Sequence, residues 1–182
     1  MLVKTKEILL KDGRTALLRN PDPDADAAAL INHLRQIVSE TEFLLRYPEE
    51  CNWTEEQERE LLSASNADDM RLMLVCEVDG EIAGMCGLSL YRQIKFRHRA
   101  GLDIGLKKRF WNLGIGTSML EALSEVARER GVMQLELDYI EGNERGRALY
   151  EKAGFTEVAR HPDAVRLKDG SMRSLVFMMK KL

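Results

Sequence analysis

The chain of 182 residues lacks the features of several protein classes. No apolar run approaches the ~20 residues that a membrane-spanning helix requires, and the first residues, 1–7, lack the apolar core of a secretion signal. The 27 basic residues are outnumbered by 30 acidic ones, so the positive excess typical of nucleic-acid-binding proteins is missing. We therefore expect a cytoplasmic protein that binds neither membranes nor nucleic acid.

Metal-ligand and disulfide patterns are also missing. The three cysteines form no C-x-x-C pair, which is typical of reduced thiols in a cytosolic protein. Cys76 and Cys86 lie in apolar, strand-like runs, which favours a place in the core. The histidines are scattered without the spacing of metal ligands: they are His33, His98 and His161. The sequence predicts no metal.

What remains is an ordinary globular composition, 45% hydrophobic and 31% charged. A chain of this length can bury a substantial core. No repeat, low-complexity tract or long linker divides it, so we expect residues 1–182 to form a single domain.

Three Asp-Gly pairs predict β-hairpins, because this dipeptide favours the tight turns that join antiparallel strands. They are Asp12-Gly13, Asp79-Gly80 and Asp169-Gly170. The strands that these turns would join cover residues 6–11 with 14–19, 72–78 with 82–90, and 155–168 with 172–180.

Periodicity of the apolar residues predicts the other elements. A repeat near 3.6 residues indicates helices over 23–46 and 54–64, the second with Thr54 and Gln57 placed as a capping box. Alternation indicates strands over 98–106 and 133–139. A helix after Gly114 would end at Gly131, and a short helix capped by Asn143 would end at Gly154.

The order of these elements places a β-α-β unit in the centre of the chain, between residues 98 and 139. Such a unit requires two parallel strands joined by a right-handed crossover. The hairpins on either side require antiparallel pairing. The predicted class is therefore a mixed α/β (α+β) fold, with a twisted sheet of about seven strands and helices on both faces.

The segment 109–117 joins the central strand to its helix and carries Gly114 and Gly116. Glycine lets a backbone approach a ligand closely, and the first amides of a helix are unpaired at the positive end of its dipole. Such a turn can bind an anion, most often a phosphate. The same pattern is also typical of a strand that merely ends tightly, and the turn alone leaves both interpretations open.

Two motifs in this order resemble the GNAT superfamily of acetyl-CoA-dependent N-acetyltransferases. The first is Leu106-x4-Trp111-x2-Gly114-x-Gly116, and the second is Asn143-x6-Tyr150-x3-Gly154-Phe155. The resemblance extends to the order of elements over about residues 5–181 and implies one N-acetyltransferase domain. A nucleoside triphosphate loop is disfavoured, because the Gly-Lys-Ser/Thr ending is missing.

The first motif departs from the family pattern V-x4-[QR]-x2-G-x-[GA] at two positions. Leu106 replaces the usual Val, and Trp111 stands where Gln or Arg is typical. In the second motif, Gly146 stands where Ala is frequent. The Trp is a modest departure, because the backbone amides of this turn would bind the ligand.

The resemblance implies acetyl-CoA as co-substrate, with its pyrophosphate on the turn and its pantetheine arm along strand 102–106. The arm would pair with the backbone of Ile104 and Leu106 as an added strand, and Asn143 would contact it. The turn residues in this assignment are Trp111, Asn112, Leu113, Gly114, Ile115, Gly116 and Thr117. The neighbouring bases 107–109 either meet phosphate charge or form a solvated basic turn.

Tyr150 is the candidate general acid for the departing thiolate. A phenol with a reference pKa of about 10 keeps its proton at neutral pH, and a thiol has a reference pKa of about 8.5. A phenol can therefore transfer its proton as charge develops on sulfur. The alternative is a core tyrosine on an amphipathic helix.

The general base is less defined. Many members of the superfamily carry Glu in the strand before the turn, and Gly101 stands at that place here. Asp103 is the substitute candidate, and Asp138 and Glu136 on the next strand are others. Each of these carboxylates is alternatively a solvent-facing or salt-bridged surface group.

The acceptor is expected to be an amine, either a small molecule or a peptide N-terminus or lysine. Aromatic residues at 43, 47 and 53 are candidates to line its pocket, and acidic residues at 40, 42, 49 and 50 would attract a cation. The resemblance leaves open a homodimer, because relatives often dimerise. A second hypothesis, for which Gly101 is the main support, is a non-catalytic coenzyme-A-binding or interaction module.

Overall fold

A computed structural model describes all residues, 1–182, and contains one eight-stranded sheet with four helices. The strands are β1 (Lys6–Leu9), β2 (Thr15–Arg19), β3 (Arg71–Val78), β4 (Glu81–Leu90), β5 (Arg99–Leu106), β6 (Gln134–Ile140), β7 (Thr156–Arg166) and β8 (Met172–Lys181). The helices are α1 (Pro23–Glu40), α2 (Glu55–Ala67), α3 (Ile115–Glu129) and α4 (Glu144–Lys152). The order of strands in the sheet is β1-β2-β3-β4-β5-β6-β8-β7.

The central β5-α3-β6 unit supplies the parallel pair in a sheet that is otherwise antiparallel. The parallel ladder is short: it runs from Arg99↔Gln134 to Gly101↔Glu136. Beyond that pair β6 continues to pair with β8 as far as Ile140, whereas β5 pairs only with β4. The two central strands therefore separate after Gly101 and leave a gap that is open towards their carboxyl ends.

Helices cover both faces of the sheet, as the sequence predicts. On one face, Ala27 and Leu30 of α1 and Leu62 of α2 pack against Val75 and Ile82 of the sheet. On the other face, α3 and α4 join the larger apolar cluster, and Met119, Leu123 and Tyr150 lie in it with inward residues of β3 to β6. After the roles that the resemblance implies, we call the face covered by α1 and α2 the acceptor face and the face covered by α3 and α4 the coenzyme face.

His33 anchors α1 to the sheet on the acceptor face. Its side chain is fully buried, and its Nδ1–H donates to the carbonyl of Ile82 in β4 at 3.3 Å. Nε2 is buried without a hydrogen-bond partner. Loss of hydration, together with the nearby charge of Lys107, lowers the pKa of this imidazole to about 4. His33 is therefore neutral at neutral pH, and its burial opposes protonation.

Two expectations from the sequence need correction. The first helix ends at Glu40 rather than at residue 46, because Thr41 is extended at φ −155° and the chain then folds back. Leu44, Cys51 and Trp53 cover the end of α1 in that returning segment, so their apolar character serves packing and not helical periodicity. The sheet has eight strands rather than about seven, because both strands of every predicted hairpin pair within it.

The remaining boundaries agree closely with the sequence. Thr54 and Gln57 form the predicted capping box at the start of α2, which continues to Ala67. Asn143 caps α4 through its side-chain oxygen, which accepts the Gly146 N–H. Gly131 and Gly154 follow their helices with φ of +73° and +91°, a backbone region that glycine adopts easily. No helix is both long and apolar enough to cross a membrane.

Candidate active site

The turn before α3 presents a row of free backbone amides. Gly114 is the N-cap residue with φ +95° and has no side chain that could cap the helix. The first helical hydrogen bond runs from Ser118 N–H to Gly114 O at 3.1 Å. The N–H groups of residues 115–117 precede it and donate to no protein group. The turn is therefore able to bind an anion with backbone groups and the helix dipole.

Gly116 serves a different purpose from Gly114. A Cβ on Gly116 would lie 2.9 Å from Cδ2 of Leu149, so its absence lets the start of α3 approach α4 closely. This contact brings the two motif segments together, because Leu149 adjoins Tyr150. The second glycine thus sets the distance between the anion-binding turn and the candidate general acid.

Trp111 braces this turn in place of the Gln or Arg that the family pattern favours. Its Nε1–H donates to the carbonyl of Leu106 at 3.1 Å. Its ring lies under the guanidinium of Arg145, 4.5 Å from the ring centroid. Arg145 also donates to Oδ1 of Asn112 at 2.6 Å. The Trp therefore links the end of β5, the turn and α4.

Arg145 is a candidate coenzyme-binding residue that sequence reasoning missed. It is exposed on the first turn of α4, and its side chain lies against Trp111 and Asn112 of the anion-binding turn. The sequence could have indicated this residue, because Arg145 follows the helix cap Asn143 by two positions and so lies in the first turn of α4, beside the anion-binding turn. Guanidinium groups suit phosphate oxygens.

The basic residues after β5 have partners within the protein. Lys107 is buried, and its Nζ donates to Glu81 Oε1 at 2.5 Å. Arg109 forms an ion pair with the other oxygen of Glu81. Lys108 lies 5.8 Å from the ring centroid of Trp111. Lys108 is therefore the member of this trio without a carboxylate partner beside the turn.

The gap beside β5 exposes strand-pairing groups. Lys107 N–H donates to the Ala83 carbonyl on the β4 side, and hydrogen-bonding direction alternates along a strand. The backbone groups of Ile104 and Leu106 therefore face away from β4, into the gap, where no strand pairs with them. An extended ligand can be held there as an added strand.

Tyr150 is buried where the gap opens. Its ring lies 6.0 Å from that of Tyr139 on β6 and 6.3 Å from that of Phe155. Burial raises the pKa of Tyr150 to about 12, with further contributions from the charges of Asp138 and Asp103. The shift keeps the phenol protonated at neutral pH.

Asp103 occupies the acceptor face without an ionic or hydrogen-bonding partner. A Cβ on the opposite residue, Gly87, would lie 2.6 Å from Asp103 Oδ2, so the carboxylate lies directly over that glycine. Solvent reaches Asp103 at the mouth of a cleft, yet the surrounding protein removes enough hydration to raise its pKa. A carboxylate with a raised pKa is suited to accept a proton near neutral pH.

The other candidate bases differ from Asp103 in their surroundings. Glu136 accepts a hydrogen bond from Arg99 at 2.6 Å and another from Gln134, as the salt-bridged alternative anticipated. Asp138 has no such partner, and loss of hydration raises its pKa as well. A Cβ on Gly101, where relatives carry Glu, would lie 3.9 Å from the Tyr91 hydroxyl.

The structure does not gather the predicted acceptor-pocket residues at one place. Tyr47 accepts a hydrogen bond from Lys168 N–H at 3.1 Å, and Glu49 pairs with the same lysine. Trp53 donates to Glu58 at 2.7 Å, and Glu40 accepts the Lys108 N–H at 2.6 Å. These residues mainly fix the segment between α1 and α2. Phe43 is the exception, since its ring lies against Gly142, just before the α4 cap.

Comparison with solved structures shows the same fold in known acetyltransferases. An acetyltransferase of the GNAT family from Streptococcus pneumoniae has 27% sequence identity and a TM-score of 0.85, and the match covers 92% of this chain and 99% of that one. The yncA protein of Salmonella typhimurium, solved with its cofactor acetyl-CoA, has 22% identity and a TM-score of 0.77, with 92% and 94% covered. The second likeness, at its lower identity, concerns the fold alone.

Sequence comparison agrees with the structural likeness. A segment of 62 residues is 47% identical to the mycothiol acetyltransferase of Beutenbergia cavernae, which is 34% of this chain and only 19% of that protein. The model of the acetyltransferase (GNAT) family matches residues 31–155, from within α1 to the end of the second motif. The chain therefore belongs to the GNAT family of acetyltransferases.

Proposed function

We propose that this protein transfers an acetyl group from acetyl-CoA to a primary amine, by direct attack within a ternary complex, in one domain formed by residues 1–182. The observation that carries the proposal is the position of Tyr150. Its phenol is buried against Tyr139 of β6, with 6.0 Å between the ring centroids, and keeps its proton at neutral pH. A molecule that only bound the coenzyme would not need a proton donor at that point.

Coenzyme binding is assigned to backbone groups first. The amides of Asn112, Leu113, Gly114, Ile115, Gly116 and Thr117 would hold the pyrophosphate, with Trp111 bracing the turn. Arg145 would add positive charge beside them. The pantetheine arm would pair with Ile104 and Leu106 in the gap, and Asn143 would contact it from the start of α4. The backbone groups of Ile104 and Leu106 have no strand partner on the side of the gap, and the amides of residues 115–117 donate to no protein group.

The chemistry requires three proton transfers. The incoming ammonium gives a proton to Asp103, directly or through water, and its nitrogen then bonds to the carbonyl carbon of the thioester. The carbon–sulfur bond breaks, and Tyr150 protonates the departing thiolate. The nitrogen loses its second proton as the amide forms, and this proton restores the Tyr150 phenol through solvent. Cys76 and Cys86 do not suit a covalent route, since burial raises the pKa of Cys76 to about 12 and raises the pKa of Cys86 well above its usual value.

Thiol release with a panel of amines tests the activity, and Tyr150→Phe tests the mechanism. General acid catalysis contributes about 100- to 10,000-fold, so kcat should fall by about 100-fold or more in this variant. The dissociation constant for acetyl-CoA, measured by calorimetry, should change little. A variant with unchanged turnover would remove Tyr150 from the proposed role.

Tyr139→Phe is the matched control. It removes the same atom from a buried tyrosine whose ring centroid lies 6.0 Å away, so a general packing effect would appear in both variants. We expect kcat of this control to stay within about threefold of the unmodified protein, because a lost buried hydroxyl usually costs about 1 kcal/mol or less. Binding of acetyl-CoA without consumption, over the whole amine panel, would favour the non-catalytic alternative.

A further inference from the structure

A cavity on the acceptor face leads away from Asp103. It has a volume of about 350 Å³ and lies between α2 and strands β3 to β5, which is within the size range of small ligand sites. Asp103 and Gly87 line it together with Met73, which pairs with Gly87 in the register of β3 and β4. The cavity therefore includes the carboxylate that we assign to the amine.

The cavity changes in character along its length. Next to Asp103 it is lined by the flexible apolar side chains of Met73, Met85 and Leu61. Its end at the start of β3 contains Asp68 and Arg71, and Arg92 donates to Asp68 at 2.7 Å beside it. From Asp103 towards the start of β3, the lining thus changes from a free negative charge among apolar side chains to a mostly positive rim.

The rim continues into the loop that joins β4 and β5, residues 91–98, which we call the basic loop. This loop contains no acidic residue and carries Arg92, Lys95, Arg97 and His98. Neither Lys95 nor Arg97 forms an ion pair, and the side chains of Ile94 and Phe96 are 77% and 44% exposed. The loop offers unpaired positive charge with apolar contact area.

The basic loop has a defined conformation. The N–H groups of Phe96 and Arg97 donate to the Gln93 carbonyl at 2.9 and 3.0 Å. Arg99 lies 5.4 Å from the ring centroid of Tyr91 and 5.3 Å from that of Phe96, so the base of the loop is stacked. A surface already held in shape loses little conformational entropy when a partner binds.

We propose that the acceptor is the amino-terminal segment of an acidic polypeptide. Its terminal ammonium lies at Asp103, its first one or two residues fill the apolar cavity, and its acidic residues contact the basic loop. Ser89 follows Gly87 by two positions on β4, about 7 Å at the rise of a strand, so the acidic residues begin near the third position. This inference depends on the proposed acetyl transfer and adds the class of acceptor.

Charge complementarity favours this occupant over an apolar amine alone. A simple apolar amine would use Asp103 and the cavity, but it would leave Lys95 and Arg97 without a role. A basic peptide would be repelled by the loop. In the acidic segment between α1 and α2, the charge of Glu49 is paired with Lys168, which weakens its attraction for a basic peptide.

The test compares three acceptors, each with a free amino terminus and an amidated end: Ala-Met-Glu-Asp-Glu-Gly, its neutral counterpart Ala-Met-Gln-Asn-Gln-Gly, and n-butylamine. Thiol release gives kcat/KM for each at low and high salt. We expect the acidic peptide to exceed the neutral one by about tenfold at low salt, and this ratio to shrink as salt screens the charges.

The double variant Lys95→Glu/Arg97→Glu should abolish or invert that ratio, chiefly through KM. Its matched control is Lys4→Glu/Arg128→Glu, which makes the same change of charge at two exposed, unpaired residues away from the cavity. The control should keep the ratio within about twofold. Equal use of both peptides, or a ratio that the loop variant leaves unaltered, overturns the inference.

The outcome also separates this inference from the proposed function. Turnover of n-butylamine with neither peptide acetylated would keep the acetyltransferase activity and overturn the polypeptide acceptor. Absence of thiol release with every amine, despite binding of acetyl-CoA, would overturn both.

Discussion

The coenzyme face and the acceptor face differ in the kind of group that each offers to a ligand. The coenzyme side relies on backbone groups: free amides before α3 and strand groups that face the gap in β5. The acceptor side relies on side chains, chiefly Asp103, the methionines of the cavity and the basic loop. Backbone recognition tolerates a change such as Trp111, whereas side-chain recognition changes with each substitution. We therefore expect the donor site to be shared across the family and the acceptor site to be specific to this chain.

The largest effect that would separate the two sides is expected from Asp103→Asn. The amide cannot take the proton of the ammonium, so kcat/KM for the amine should fall by about 100-fold or more at neutral pH. In the unmodified protein, kcat/KM should decline as pH falls through the raised pKa of Asp103, because the protonated carboxyl is inactive as a base. Steady-state rates from pH 5 to 9 measure both effects.

Calorimetry and Asp138→Asn complete this experiment. Binding of acetyl-CoA to Asp103→Asn should be unaltered within about twofold, since the coenzyme side is untouched. Asp138 lies on the next strand with a similarly raised pKa, so its variant should lose less activity. If Asp138→Asn lost more of kcat/KM than Asp103→Asn, and if its kcat/KM no longer declined at low pH, the role of base would belong to Asp138.

The second prediction concerns the effect of acid on the free energy of unfolding, through the His33 contact that holds α1 on the acceptor face. His33 has a pKa of about 4 in the folded protein against about 6.5 unfolded, a difference worth about 3 kcal/mol. The unfolded chain binds the proton first, so this stabilisation is present above pH 6.5 and is lost as pH falls from 6.5 towards 4. Urea unfolding at pH 7 and pH 4.5 measures the loss.

His33→Gln keeps a polar side chain and removes this titration. The variant should be less stable at pH 7, but its stability should decline less between pH 7 and 4.5. The exposed His161 provides the control, since its replacement by Gln should leave the pH dependence unaltered. Parallel pH curves for the unmodified protein and His33→Gln would contradict the assignment.

The smallest of the three effects is expected on the coenzyme side, from Gly114→Ala. With φ at +95°, alanine is strained by about 1–2 kcal/mol, and relief of that strain would turn the first amides of α3 out of line. The affinity for acetyl-CoA should therefore weaken by about tenfold. The preference for acidic over neutral peptides should persist, because the basic loop is not involved.

Gly131→Ala is the matched control for that strain. Gly131 has φ +73° and open space where a Cβ would lie, at the far end of the same helix. Both variants should lose a similar free energy of unfolding, and only Gly114→Ala should lose affinity for acetyl-CoA. Equal affinity losses would attribute the effect to helix stability instead of the turn.

Local sequence determines most of the coenzyme side, which is why it could be predicted. Gly114, the cap Asn143 and the alternation in β5 each act within a few residues, and the hairpins follow from Asp-Gly pairs. The separation of β5 from β6 does not follow from the β-α-β order, and only the family resemblance implies a ligand beside β5. The end of α1 was missed because its cause is the distant packing of Leu44 and Cys51.

The acceptor side depends on contacts across strands that no local pattern reveals. Asp103 fits only because the residue opposite, 16 positions earlier in the register Gly87↔Asp103, is a glycine. Arg145 reaches Trp111 because Gly116 lets two helices approach each other. The aromatic residues before α2 resembled a pocket lining in sequence, yet their partners lie in the β7–β8 turn and in α2.

The charges that surround Tyr150 have a consequence for the order of events. Part of the upward shift in its pKa comes from the negative charge of Asp103. In the proposed reaction, that charge disappears when Asp103 takes the proton of the amine. The phenol would then be a stronger acid as negative charge develops on sulfur. We therefore expect the proposed proton transfers at Asp103 and Tyr150 to be coupled through the electric field, without a hydrogen bond between the two groups.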